Sequence, residues 1–258
     1  MVKGLYTAYT GLVHEQNRMD IMTNNLANVN TVGYKREGST GRAFDDILSV
    51  KLKDASIGEQ NIEKLGNINP GVEIGNHYTD YSQGSFRNTN NTYDLAISGN
   101  GFFAIEHRSK SGESSIKYTR DGSFSLNKEG YLVTCDGDFV LDINQSRIKV
   151  DTLTDSRIER DGKIYQNGTE LAQVGLFDFE QYLYLSKYGE NLLQPLDAAT
   201  MKAADGEIYS GYLEMSNVQT VTEMVNLITI TRAYESNQKI MQTMDNTLET
   251  AVQLGKLR

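Results

Sequence analysis

VQTVTEMVNLITITRAYESNQKIMQTMDNTLETAVQL, residues 218–254, decides the architecture. With Leu227 at a heptad a position, Ile230, Tyr234, Asn237, Met241, Met244, Leu248 and Ala251 fall on successive d and a positions, alternating by three and four with one polar member. That spacing predicts a helix with a continuous seam. Thr220 and Glu223 read as a capping box after Ser216-Asn217, and Gly255 with Lys256 and Arg258 closes the C-terminal dipole end. At about 1.5 Å per residue the helix runs roughly 55 Å, against a diameter of very roughly 45–50 Å for a compact chain of this size. It must bury its seam on another helix, in its own chain or in a neighbour's.

The N-terminus repeats the logic. Leu5, Ala8, Leu12, Glu15, Met19, Met22, Leu26 and Val29 alternate by three and four, again with one polar member. The simplest closure is an antiparallel pair of terminal helices with everything between them inserted as a separate body. In the two ideal registers Glu15 lies within about a turn of Asn237, where the two either fix the alignment or simply tolerate partial exposure. Val221, Met224, Val225 and Ile228 surround the C-terminal seam, and Tyr6, Tyr9, Val13 and Ile21 widen the N-terminal one. A helix apolar on most sides needs more than one neighbour, and the sequence does not choose between the chain's own middle and other subunits.

After the first helix, Asn24, Asn25, Asn28 and Asn30 followed by Gly33 mark a helix ending, since asparagine amides compete for backbone groups. Residues 37–83 read as an extended connecting segment with a short amphipathic piece at Ala43–Leu52 and Pro70-Gly71 as its clearest turn. From Tyr93 the hydrophobic period becomes two. Short strands at 93–97, 101–105, 117–120, 123–126, 130–134, 138–141 and 174–179 are separated by Asp121-Gly122, Asp136-Gly137, Asp161-Gly162 and Asn167-Gly168, dipeptides that tight turns favour. The expected fold is therefore α+β. Long N- and C-terminal helices pair as an antiparallel coiled coil, and an antiparallel β domain is inserted between them. The expected divisions are 1–36 (helix and loop), 37–83 (connection), 84–210 (β domain) and 211–258 (C-terminal helix, packing with 1–30).

Composition narrows function. With 258 residues, 38% of them hydrophobic, the body is divided rather than one core, and a net charge of −9 argues against nucleic acid or an anionic membrane as partner. No signal-peptide core or membrane-length apolar stretch occurs. Cys135 is the single cysteine, expected half-buried on a strand, so neither an intrachain disulfide nor a thiolate cage is available. His14, His77 and His107 lie at no ligand spacing and accompany no nucleophile motif. Gly99-Asn-Gly101 lacks the third glycine and following helix of a dinucleotide site, and Asp136-Gly-Asp138 lacks the other oxygens of a calcium loop. No catalytic residue, metal or cofactor is expected.

Three motifs carry a resemblance. Asn25-Leu-Ala-Asn-Val-Asn-Thr-Val-Gly-Tyr-Lys-Arg36 resembles the N-terminal signature of flagellar basal-body rod and hook proteins. Gly211-Tyr-Leu-Glu-Met-Ser-Asn-Val218 with Thr231-Arg-Ala-Tyr-Glu-Ser-Asn-Gln-Lys239 is similar to that family's C-terminal helix region, and Asp94–Phe103 with Tyr118-Thr-Arg-Asp-Gly-Ser-Phe-Ser-Leu126 is similar to its β domain. The resemblance implies an axial subunit of the basal body, exported unfolded by the flagellar type III apparatus without a cleaved signal. It implies polymerisation with itself and with other rod and hook proteins into a hollow, torque-transmitting shaft. Length excludes a typical hook protein; a distal-rod type is the first reading and a proximal-rod type the second. The implied assembly residues are Leu5, Leu12, Met19, Met22, Leu26, Asn28, Asn30, Gly33, Tyr34, Val221, Met224, Leu227, Ile230, Tyr234, Asn237, Met241, Met244 and Leu248. The rival outside the family is a coiled-coil adaptor whose β domain binds a ligand.

Overall fold

The computed structural model describes residues 2–52, 62–109, 112–189 and 191–256. They form two helices, one at each end of the chain, with antiparallel strands between. The chain divides into two compact units, one of Met1–Leu26, Glu37–Thr79 and Thr220–Arg258 and the other of Ala27–Arg36 and Asp80–Gln219.

In the first unit, helix α1 spans Val2–Ala27 and helix α2 spans Thr220–Lys256, with Glu223 in its first turn and Lys256 in its last. Along α2 Leu227, Ile230, Tyr234, Asn237, Met241, Met244 and Leu248 are shielded, and the seam stops there because Ala251 is exposed. On α1 the shielded row is Leu5, Ala8, Leu12, Glu15, Met19, Met22 and Leu26. A Cβ added at Gly4 would lie 2.6 Å from Met244 Cε, and one at Gly11 would lie 2.9 Å from Asn237 Nδ2. These contacts run in opposite order along the two helices.

The described part of the connecting segment is extended and paired with itself. Strand β1 (Glu37–Ala43) pairs antiparallel with β4 (Val72–Thr79), and β2 (Ile47–Leu52) with β3 (Ile62–Ile68), making a two-stranded ribbon; residues 53–61 lie outside the described residues. Pro70-Gly71 sits between β3 and β4, where a Cβ on Gly71 would collide with Thr10 and Thr7 Oγ1 donates to Pro70 O at 3.0 Å. His14 packs on Gly41 and Tyr6 on Phe44, so the ribbon's lower part lies along α1 on a different face from the one that meets α2. Helix α1 is joined to the ribbon by the buried Asn25, whose Nδ2 donates to Glu37 O (2.8 Å) and whose Oδ1 accepts from Glu37 N (2.9 Å). A side-chain amide thus reproduces the two bonds of a strand pair.

The second unit contains β5 (Phe86–Asn88), β6 (Leu95–Ser98), β7 (Phe102–Arg108), β8 (Ser114–Thr119), β9 (Phe124–Leu126), β10 (Leu132–Thr134), β11 (Phe139–Val140) and β12 (Ser156–Ile158). It continues with β13 (Lys163–Gln166), β14 (Thr169–Gln173), β15 (Leu176–Phe179), β16 (Leu185–Tyr188), β17 (Leu192–Pro195), β18 (Met201–Ala203), β19 (Glu207–Ser210) and β20 (Tyr212–Glu214). The main sheet runs β16-β17-β8-β7-β11-β10-β9, with β15 also on β7 and β18 beyond it. Phe103 and Ile105 of β7 face one apolar cluster while Phe102 and Ala104 face another. Both faces of β7 are covered over Phe102–Ile105, which is why that part of its sequence is a continuous apolar run instead of an alternation. Short pairs, β5 with β20 and β6 with β19, bring the end of the β unit back to its start.

Asn167 (φ 51°) and Gly168 (φ 80°) make the two-residue hairpin between β13 and β14 that the dipeptide predicts. Gly122 serves otherwise. Its φ is not positive, and a Cβ there would collide with the Leu95 carbonyl, so the glycine permits close approach of two backbones. Cys135 lies exposed in the β10–β11 turn, not half-buried on a strand, because the strand ends at Thr134.

Candidate assembly surfaces and the knot of motifs

The run after α1 is pinned by a residue that only glycine can be. Gly33 has φ +69°, donates its N–H to Glu214 O at 2.8 Å, and would place a Cβ 2.6 Å from the Arg120 carbonyl carbon. With that wedge seated, Asn191 Nδ2 donates to Val32 O (3.0 Å), and Tyr34 is buried with Lys187 Nζ 4.5 Å from its ring centroid. Lys187 also donates to Lys35 O at 3.2 Å.

Beneath this loop lies Glu214, 0% exposed, between two cations that are each 5% exposed. Oε1 accepts from Lys35 Nζ (2.6 Å) and Gly84 N (3.0 Å), and Oε2 accepts from Arg120 Nη1 (3.1 Å). Lys35 Nζ further donates to Ser82 O (2.9 Å) and Arg120 Nη2 to Gly99 O (2.8 Å). One carboxylate is therefore shared by two buried cations. Burial pushes the Lys35 ammonium below its usual range, while Glu214 pulls it back up.

Three residues later the chain makes a second tie. Asn217 Oδ1 accepts from Arg36 N (2.8 Å), and its Nδ2 donates to Asp80 O (2.8 Å), Ser82 O (3.2 Å) and Ser82 Oγ (3.0 Å). Asp80 N donates to Arg36 O at 2.8 Å, closing the triangle. The Ser82 N–H on its carboxylate, ahead of the Arg36 guanidinium, holds Asp80 below the ordinary carboxylate range. Gly33 to Arg36, Arg120, and Glu214 to Asn217 come from three motifs far apart in sequence, and they meet here.

The sequence-predicted assembly residues fall into three groups. Leu5, Leu12, Met19, Met22, Leu26, Leu227, Ile230, Tyr234, Asn237, Met241, Met244 and Leu248 lie on the shielded faces of the helices. Val221 and Met224 are exposed, and with Val225 and Ile228 they form an open apolar patch on the first turns of α2; Val221 is 76% and Val225 56% exposed. Tyr6, Tyr9 and Val13 of α1 and Ile47, Leu48, Ile68, Val72 and Tyr78 of the ribbon are exposed as well. Gly33 and Tyr34 are covered by the chain itself, Asn28 accepts from Thr31 Oγ1 at 3.0 Å, and Asn30 is exposed.

Sequence reasoning missed Glu214, Asn217, Arg120 and Asn25. The available signal was an acidic residue inside the apolar Tyr-Leu-Glu-Met run, but which lysine and arginine would meet it is a long-range fact.

Among the described residues no three His, Cys, Asp or Glu side chains gather in a metal-holding arrangement, and no helix is long and apolar enough to cross a membrane. His107 Nδ1 lies 2.8 Å from Asp138 Oδ2 at a partly exposed position.

Comparison with known proteins matches three parts of the chain to family descriptions. Residues 5–35 match "Flagella basal body rod protein", 96–166 "Flagellar hook protein FlgE/F/G D1 domain", and 209–254 "Flagellar basal body rod FlgEFG protein C-terminal". Full-length relatives agree. The flagellar basal-body rod protein FlgG of Bacillus subtilis is 36% identical over 99% of this chain and 100% of its own length. FlgG of Buchnera aphidicola from Schizaphis graminum is 34% identical over 98% and 100%. The flagellar basal-body rod protein FlgF of Caulobacter vibrioides is 34% identical over the whole of both chains. With its three motifs, its terminal helices and its full length matched, the chain belongs to the flagellar basal-body rod protein family.

Proposed function

We propose that this structural rod subunit polymerises through its first unit, α1 and α2 pairing as an antiparallel coiled coil whose outward apolar residues seat on neighbouring copies. The observation that carries the reading is the patch Val221, Met224, Val225 and Ile228, four large apolar side chains exposed together beside a seam that is already covered. An exposed cluster of this kind marks an association surface, and the paired contacts of Gly4 with Met244 and Gly11 with Asn237 support the antiparallel pairing. A surface-exposed two-stranded ribbon, marginal on its own, fits the same role. The polymer is then the hollow shaft that carries torque, of distal-rod type first, made with other rod and hook proteins after passage through the export apparatus. No step of this function asks for chemistry at a catalytic residue.

The test is Val221→Asp with Val225→Asp. Both positions are exposed in the single chain, so the variant is expected to fold and be secreted normally yet to be absent from isolated basal bodies, leaving cells that do not swim. Normal incorporation of the double variant would overturn the reading.

A further inference from the structure

The chain passes between its two units at residues 26/27, 36/37, 79/80 and 219/220. Three of those four crossings are bonded together, inside the β unit, by one side chain. Asn217 stands two residues before the last crossing, takes the N–H of Arg36, the final residue before the second, and gives its amide protons to the carbonyl of Asp80, the first residue after the third. The Arg36–Asp80 backbone bond and the Arg36–Asp80 ion pair (3.7 Å) complete the joint, and the Lys35–Glu214–Arg120 cluster anchors it in the β unit.

We propose that Asn217 is a positioning residue that locks these three chain segments into one stiff joint, so that load applied to the helices and ribbon reaches the β unit through a bundle and not through independent tethers. This rests on the reading that the first unit carries the polymer contacts. The chemistry suits the task. An amide is the one short side chain that offers an acceptor and two donors in a single plane, and here the acceptor serves one segment while the donors serve another. Asn217 is half-buried, so the bonds are not needed to satisfy a core. Their effect is local and geometric.

The experiment uses full-length Asn217→Ala and Asn217→Asp, with the Val221→Asp/Val225→Asp chain beside them. In the purified proteins, hydrogen exchange at the Arg36 amide, whose bond is to the Asn217 side chain, is expected to quicken about tenfold in Asn217→Ala, the scale of one lost hydrogen bond. The Asp80 amide quickens with it, while β7 and β8 exchange as before. Asn217→Asp keeps the acceptor and loses the donors, so Arg36 stays protected while the 80–82 segment loosens. In cells, Asn217→Ala subunits enter the rod, but swimming speed falls more steeply than normal as the medium is made more viscous. Unchanged exchange at Arg36, loss of protection across β7 and β8, or a normal viscosity dependence overturns the proposal. The doubly substituted apolar patch reports separately on the assembly reading, since its failure shows as normal rod incorporation whatever Asn217 does.

Discussion

Replacing Glu214 with glutamine is the sharpest perturbation of the knot. The change removes one negative charge from a fully buried site and leaves Lys35 and Arg120, both almost wholly buried, facing each other across it. The glutamine oxygen can accept from one cation only, and its NH2 group then turns donors toward the other, which loses its 2.6 or 3.1 Å bond. Breaking a buried ion cluster by removing one partner costs about 3–5 kcal/mol. For a unit of this size each kcal/mol moves Tm by about 2–4 °C, so thermal unfolding of the purified chain, followed by near-ultraviolet circular dichroism, is expected to fall by about 10 °C. The deficit has a pH signature. Burial already lowers the Lys35 pKa from 10.5, and without Glu214 it falls further, so the unfolded chain binds more protons than the native one in a window ending near 10.5. Stability of Glu214→Gln therefore rises as pH climbs through that window, and its deficit against the parent narrows over the lower part of it, up to the parent's own lowered Lys35 pKa. A double-mutant cycle decides the matter: Glu214→Gln with Lys35→Met removes the stranded cation and is expected to be at least as stable as Glu214→Gln alone. Additive losses in that cycle would refute the reasoning.

Other outcomes follow from single positions. Gly33→Ala forces an L side chain into φ +69° against the Arg120–Asp121 backbone, and is expected to cost about 1–3 kcal/mol and to quicken exchange at Lys35 and Arg36; unchanged exchange would count against the wedge. Met241→Asp puts an unpaired carboxylate in the helix seam, costing several kcal/mol when packed, and is expected to leave the β unit's Tm unaltered while cells lose swimming; a lowered β-unit Tm with normal swimming is the contrary result. In dilute monomer, α1 and α2 are expected to exchange faster than β7 and β8, because the apolar patch has no neighbour and ordering the helices costs backbone entropy; equal protection would show that the helices need no partner.

The helices were legible because their information is local and periodic. Leu227 to Leu248 is shielded as the three-four spacing requires, and even the polar Asn237 sits in the seam, against Gly11. The strands were legible for the same reason, with the dipeptide at 167–168 turning as expected. The ribbon was not, since its pairing joins residues such as Glu37 and Thr79 across some forty positions with no repeating apolar face to announce it. The knot was hidden for a related reason. Lys35, Arg120 and Glu214 each look like ordinary surface charges, and the sequence does not say that a strand as short as β20 will be covered on both sides. Asparagines 25 and 217 act through backbone groups of distant residues, which carry no side-chain signature at all. The motif resemblance marked where the knot's parts lie without revealing that they touch.

A buried ion cluster is a poor way to make a fold stable, since well-packed apolar replacements of similar volume are often neutral or stabilising by about 1–4 kcal/mol. The β unit has apolar clusters on both faces of β7 for that purpose. What the cluster adds is direction: Glu214 accepts from Lys35, Arg120 and Gly84 at once, so the loop after α1, the β8 end and the start of the β5 segment have one mutual placement. Substituting Glu214→Leu, Lys35→Met and Arg120→Met together separates the two roles. If the cluster exists to place the strands that lead to the helices, the triple variant keeps or raises the Tm of the β unit. It also loses the slow exchange at Gly84, whose bond runs to the Glu214 carboxylate, while Gly33, bonded to the Glu214 main-chain carbonyl, keeps its own, and its cells swim poorly despite abundant folded subunit. A triple variant that unfolds, or one that swims like the parent, would show that stability alone, or neither role, explains the burial of these three charges.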